Sequence, residues 1–168
     1  MTVNLHTFAQ MYGHALDTLD AMLTKGAAHA ESQGVSEAEM LDWRLIQDMN
    51  PLSFQVATVC NFTRNWSARA VGQAVAPDVP TTLDLEGYRA AIADAKAYLA
   101  DLAPEAFADR DETPLTVSIG PMEPTLPASR WISVFATTNV YFHLSMVYAI
   151  LRSRGVALGK RDMFAAGL

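Results

Sequence analysis

Chemistry has few places to reside in this chain. The imidazole of His143 sits between Phe142 and Leu144 in the most apolar stretch, and Asn139 lies one helical turn before it on the same face. Asp48 stands just ahead of Asn50-Pro51, where its carboxylate can cap a helix end. Gln55 shares a helical face with Leu52, Val59 and Phe62, which points it inward. His29 follows Met22 by seven residues, a spacing that also turns it toward the core. Asp48, Gln55, Asn139 and His143 would then line a polar pocket, with His29 near its rim. An aspartate beside the imidazole would raise the histidine pKa and support acid–base chemistry. The plainer expectation is that these groups hydrogen-bond one another and fix the register of the helices, since buried polar groups must find partners.

Other reactive side chains read as structural. Cys60 lies near an apolar stripe with no base beside it in sequence, as a buried inert thiol would. Because it is the single cysteine, no internal disulfide and no cysteine-based metal cage can form. Tyr12, Tyr141 and Tyr148 are core or interface aromatics before they are pocket donors. His6 and His14 fall off the main stripe and are expected in solvent. Arg152, Arg154, Lys160 and Arg161 complement a helix C-terminus, with an anion site as the alternative. Walker loops, dinucleotide fingerprints, His-Glu-x-x-His pairs and nucleophile elbows are missing from the sequence. Twelve basic against 18 acidic residues leave a formal charge of -6, which counts against a nucleic-acid binder and gives little attraction to anionic lipid.

Helical periods position these groups. Leu5, Phe8, Tyr12, Leu16, Leu19 and Leu23 recur at steps of three and four, predicting a helix over 3–33 that Gly34 closes. Ser36 and Glu39 fit a capping box that opens a short helix to about Leu45. Asn50-Pro51 supplies a cap and a first helical residue for the next long helix, which ends at Gly72. A loop over 73–82 precedes a third long helix from Asp84 to Leu102, followed by one further turn over 104–109. Leu115 to Ile119 alternates apolar and polar, Gly120-Pro121 turns, and Glu123 to Leu126 returns, predicting a two-stranded flap. The last long helix runs from Ala128 to Gly155, and a loop-like tail over 156–168 lies on the bundle.

From Trp131 to Leu151 this last helix carries no Asp, Glu, Lys or Arg. By length it could cross a bilayer. Its polar residues, including Ser133, Thr137, Asn139 and His143, favour instead the central helix of a soluble bundle, buried nearly all round. Residues 1–12 carry no lysine or arginine and no long apolar run, so a secretory signal is not expected and the cytoplasm is the expected location. With 168 residues, 51% of them apolar, the chain is read as one all-α four-helix-bundle domain over 1–168, with a small β flap between helices three and four.

The run Arg44-Leu45-Ile46-Gln47-Asp48-Met49-Asn50-Pro51-Leu52, with Gln55-Val56 after it, resembles the signature of a bacterial family of unknown function, DUF1993. Asn139-Val140-Tyr141-Phe142-His143, Tyr148 to Arg152, Gly155-Val156 and Gly159-Lys160-Arg161-Asp162 extend the resemblance over nearly the whole chain. It implies a DinB/YfiT-like bundle with a flap at 115–126. Relatives in that superfamily are metal-binding proteins, some of them thiol-dependent transferases, and many pair as dimers. In the metal-binding members three histidines converge, one from the second helix and two at i and i+4 on the fourth. Here the fourth-helix pair becomes Asn139 and His143, and no histidine lies between His29 and His143. Stoichiometric zinc or nickel is therefore not expected, and no cofactor is implied.

The expected function is a small-ligand-binding or structural homodimer with a degenerate DinB-like pocket, without nucleic-acid or membrane partners. His143 is expected to bond a carboxylate or backbone carbonyl within the bundle. The alternative is a metal-assisted transferase or hydrolase that uses His143 and Asp48 around a divalent ion. A membrane-anchored protein would rest on the uncharged run alone.

Overall fold

Caps and stops place the helices in the computed structural model, which describes residues 3–164. Helix α1 covers Leu5–Ser32. Asn4 caps it by accepting from the Thr7 amide at 3.1 Å, while the Thr7 hydroxyl accepts from the Asn4 amide in return. Gly34 ends it at φ +68°. Helix α2 is a short turn over Glu37–Leu41, with Ser36 accepting from the Glu39 amide, and it stops four residues before the expected Leu45. Helix α3 covers Leu52–Ala70. Here the expected Asn50 cap is not made: Pro51 is the cap residue, and the Asn50 carbonyl instead accepts from Gln55 Nε2 at 3.1 Å. Asp84 caps helix α4, Leu85–Ala100, through the Gly87 amide at 2.8 Å. Helix α5 runs over Ala128–Ser153 and contains a π-helical segment, Trp131–Ala136.

Pairs of contacting residues give the directions of the helices. Gln55, Phe62 and Trp66 of α3 meet His143, Phe135 and Trp131 of α5 in that order, so these helices are antiparallel. Tyr12 meets Ile132, and His29 meets Arg154, so α1 and α5 run parallel. Asp17 and Thr24 of α1 pair with Lys96 and Arg89 of α4, again antiparallel. Ser53 faces the 81–84 approach to α4 while Arg64 reaches Asp94 and Tyr98, so α3 and α4 run parallel. The order is up, down, down, up. A parallel neighbour needs a connection that returns the full length of a helix. The segment 71–84 does this as an extended strap lying along α3.

Two asparagines on one face of α3 hold that strap. Asn65 accepts from the Ala76 amide at 3.1 Å and donates to the Ala76 carbonyl at 3.2 Å, while Asn61 accepts from the Val79 amide at 2.8 Å. They satisfy backbone groups of a segment that has no ladder of its own. A second long connection, 101–127, carries a 3₁₀ turn at Pro104–Phe107 and the flap. Strands β1, Pro114–Thr116, and β2, Thr125–Pro127, pair antiparallel, with Leu115 opposite Leu126. The hairpin continues to an isolated bridge between Ile119 and Met122 around Gly120. The strands are shorter than the alternation suggested because the ladder breaks between Thr116 and Ile119.

The core lies between the four long helices, with Tyr12, Leu16, Leu19, Met22, Tyr88 and Trp131 sealed in it. Gly26 lets α1 approach α5 so closely that a Cβ there would meet Leu151 Cδ2 at 2.8 Å. Helix α5 is long and apolar enough to cross a membrane by length and composition, yet it packs along α1 and α3. It is not buried nearly all round, as expected from its composition: Val134 is 59% exposed and Phe142 55%. Of the tail, Lys160–Phe164 is a 3₁₀ helix rather than a loop, tied to α1 through a Lys25–Asp162 ion pair. Residues 165–168 of the expected tail lie outside the described residues.

Candidate ligand-binding groove

The outer face of α3, the strap and the flap enclose a groove of about 700 Å³. Aromatic rings make its floor. Phe62 stacks on Trp66 at 6.4 Å, and Phe135 of α5 meets both, at 5.9 Å and 5.3 Å. Trp131 lies behind them, 5.1 Å from Trp66, with its indole N–H donating to the Leu115 carbonyl at 2.8 Å. That bond ties the flap to the floor. Val75 of the strap and Val117 of the flap form opposing walls.

The π segment of α5 aims Trp131 and Phe135 at this floor. A π turn widens the helix and leaves carbonyls without their usual partners. The Ile132 carbonyl is taken by the Thr137 hydroxyl at 2.8 Å and by the Tyr12 hydroxyl at 3.2 Å. Burial pushes the Tyr12 phenol well above its ordinary pKa, so it stays a neutral donor. Asn139 donates to the Phe135 carbonyl at 2.8 Å, which occupies its amide within its own helix.

Arg69 and Asp78 are the groove's two ionisable groups. The guanidinium lies over the Trp66 ring at 5.0 Å and makes one long bond, 3.4 Å, to the Asn65 carbonyl. Among the described residues no carboxylate forms a salt bridge with Arg69. Burial pulls its pKa down, and the charge of Asp78 offsets this in part. Asp78 is exposed and accepts from Asn65 Nδ2 at 3.3 Å.

His143 stands behind the groove's edge, flanked by Phe54 and Phe62 at 5.9 and 6.4 Å. Its Nδ1 is 2.7 Å from Gln55 Oε1. Because Gln55 Nε2 donates to the Asn50 carbonyl, Oε1 is the atom left for the imidazole. An amide oxygen only accepts, so Nδ1 carries the proton and Nε2 holds a lone pair. The partner is thus a side-chain amide, not the carboxylate or backbone carbonyl expected. Without a carboxylate beside it, the His143 pKa is lowered by burial, opposite to the rise an adjacent aspartate would give.

Of the five residues singled out from sequence, the fold joins Gln55 and His143. Asn139 lies one turn away and bonds backbone. Asp48 is exposed in the 44–50 turn, caps no helix, and makes no hydrogen bond or ion pair with His143. The pairing of Asp48 with His143 is therefore corrected. His29 bonds the Arg154 carbonyl at 3.0 Å, eleven residues along α5 from His143, or roughly 16 Å at helical rise. It closes the far end of the bundle and does not rim a pocket. The sequence reading missed Arg69, Trp66, Asn61 and Asn65; the i, i+4 asparagine pair on an otherwise apolar face was the available signal.

The remaining candidates are structural. Cys60 is buried, and its thiol is pushed up to about 12 by desolvation. His6 is half-buried against Phe107 at 5.6 Å, not fully in solvent, whereas His14 is exposed. Arg152 donates to the Val156 carbonyl at 3.1 Å, closing the end of α5, and Arg154 lies over Trp43.

The superfamily's metal does not fit these side chains. Near His143 the donor set is one imidazole and two amide oxygens, and the Gln55 oxygen is taken by His143 itself. Among the described residues no three of His, Cys, Asp or Glu converge to hold an ion.

Residues 6–164 match a family model described as a domain of unknown function, DUF1993. The fold is similar to the crystal structure of a DinB family member protein from Shewanella denitrificans. The TM-score is 0.86 at 29% identity, over 95% of this chain and 91% of that chain. No curated protein matches the chain.

Proposed function

The chain belongs to the DUF1993 family and has the DinB-like four-helix fold, and from that premise we propose that it is a cytoplasmic protein that binds a small apolar molecule. The groove carries this reading. Its volume of about 700 Å³ lies in the range of small-molecule sites, and an aromatic floor with a few polar groups at its edges is their usual lining. A metal-assisted transferase or hydrolase would need Asp48 at His143, and Asp48 does not pair with it.

Nile red, which is uncharged and fluoresces in apolar surroundings, tests the reading. Binding at micromolar concentration is expected for the native chain. Val117→Trp, which places an indole against the groove wall, should abolish it with the melting temperature kept. No binding to the native chain, or equal binding to the variant, would refute a ligand groove.

We propose also that two copies pair through α5. Val134, Thr138, Tyr141, Phe142 and Ser145 are exposed along one stripe, at steps of three, four and one around the helix. That stripe has no charge, so two chains of formal charge -6 can approach there with least repulsion. Light scattering at micromolar concentration should show twice 18.3 kDa, and a single 18.3 kDa species would sink the idea.

A further inference from the structure

The ligand-groove reading leaves open which chemistry the groove selects, and Arg69 supplies it. Four observations converge there. The guanidinium is half-buried, and among the described residues it has no salt bridge. Of its five N–H donors, one is used, in a long bond to Asn65. The Trp66 ring lies beneath it, 5.0 Å from the guanidinium carbon, in a cation–π contact. Asp78, the other charge at the groove, is exposed and held by Asn65; its charge offsets part of the burial cost at Arg69 without forming a salt bridge with it. A half-buried cation with spare donors in a fixed fork matches a carboxylate, which accepts two parallel bonds from such a fork.

Resting on the ligand-groove reading, we propose that the ligand is a small carboxylic acid with a flat apolar body. The carboxylate is received by Arg69, and the body lies on Phe62, Trp66 and Phe135 beneath the flap. A flat body can lie along Phe62 and Trp66, whose planes are 30° apart, while Phe135 stands edge-on to Trp66 at 63°. A bound anion would also offset the cost of burying the Arg69 charge, so charge and shape are recognised together. Neutral apolar molecules could enter the same space, but they would offer the Arg69 donors no charged acceptor in place of water.

The test uses 2-naphthoate and its uncharged counterpart 2-naphthamide, titrated by calorimetry into the full chain. Tryptophan fluorescence is read alongside, since Trp66 would lie against the ligand. Naphthoate is expected to bind at least about tenfold tighter than the amide, the difference a charge-assisted bond makes. Arg69→Gln should erase that preference, bringing the two affinities to within about twofold of each other. Should the variant melt much lower than the native chain, Val75→Asp serves instead. It places a carboxylate on the exposed strap wall and should lower the ratio of acid to amide affinity at least about fivefold. Equal affinity of acid and amide for the native chain would overturn the carboxylate assignment and leave the groove reading standing. If neither acid nor amide binds and Nile red does not bind, the groove reading falls with it. If Nile red alone binds, the flat-acid assignment is overturned by itself.

Discussion

Replacing Gln55 with glutamate should reverse the pH dependence that His143 contributes to stability. In the native chain Nδ1–H donates to the Gln55 amide oxygen at 2.7 Å, and burial disfavours the imidazolium. The unfolded chain therefore takes up the proton more readily than the folded one. The stability His143 contributes is present above its unfolded pKa, about 6.5, and is lost as pH falls below it. Glutamate keeps an oxygen within bonding distance of Nδ1 and adds a charge. A carboxylate that close raises an imidazole by roughly 1–3 units, each equivalent to about 1.36 kcal/mol. His143 is only half-buried, so solvent screening favours the lower part of that range, about 1–2 kcal/mol. The variant's histidine contribution should then be complete below about pH 6.5 and be lost as pH rises through the raised folded pKa. At alkaline pH the variant should also be weaker than the native chain, because its second oxygen faces the Asn50 carbonyl where Nε2 used to donate. Urea unfolding followed by tryptophan fluorescence between pH 5.5 and 8.5 gives both slopes, and the variant minus native difference removes titrations common to both. A variant slope parallel to the native one, or a variant His143 titrating no higher than the native residue by NMR, would show that Gln55 does not set the state of this ring.

Gly26→Val should destabilise the chain by about 2 kcal/mol, since a Cβ there already meets Leu151 Cδ2 at 2.8 Å and Leu151 is sealed in the core; chemical denaturation measures it. Gly72→Ala should cost about 1–2 kcal/mol by the same assay, because φ is +75° and the Cβ would press on the Arg110 guanidinium, which caps the α3 end through the Ala70 carbonyl. Double replacement of Asn61 and Asn65 by leucine should free the strap, seen as faster amide exchange at Ala76 and Val79 with α1 and α5 unchanged. Phe142→Arg should convert the proposed dimer to monomer in light scattering without lowering the monomer's melting temperature.

Periodic features carried well from sequence to structure. The stripe from Leu5 to Leu23, the Ser36 cap and the glycine stops depend on local geometry, and local geometry is what a sequence spells out residue by residue. The flap was legible for the same reason, since alternation and a Gly-Pro turn are short-range signals. The groove was not. Arg69, Val75, Val117 and Phe135 come from four separate segments, and nothing local indicates that a parallel α3–α4 pair forces 71–84 back across the bundle. Gln55 and His143 met because both sat on inward faces. Asp48 did not join them, because the turn that carries it is exposed. The π segment left no mark in the pattern of apolar residues, which reads equally well as a regular helix.

That π segment makes the groove floor sensitive to the number of residues in α5 as well as to their identity. A π turn amounts to one residue more than a regular helix needs over the same rise. Deleting a single residue between Ile132 and Phe135 would let the helix close into an unbroken α form. Because the extra residue adds no rise, the helix on either side would keep its phase and spacing. Trp131 would stay in place with its bond to the flap, and the change would fall on Phe135 and on the Ile132 carbonyl that Tyr12 and Thr137 now share. Frame-preserving deletions of one codon are usually tolerated in loops and damaging in helices. Here such a deletion would give a more regular helix in a bundle that still closes, with Trp131 left in place and the Phe135 part of the floor remade.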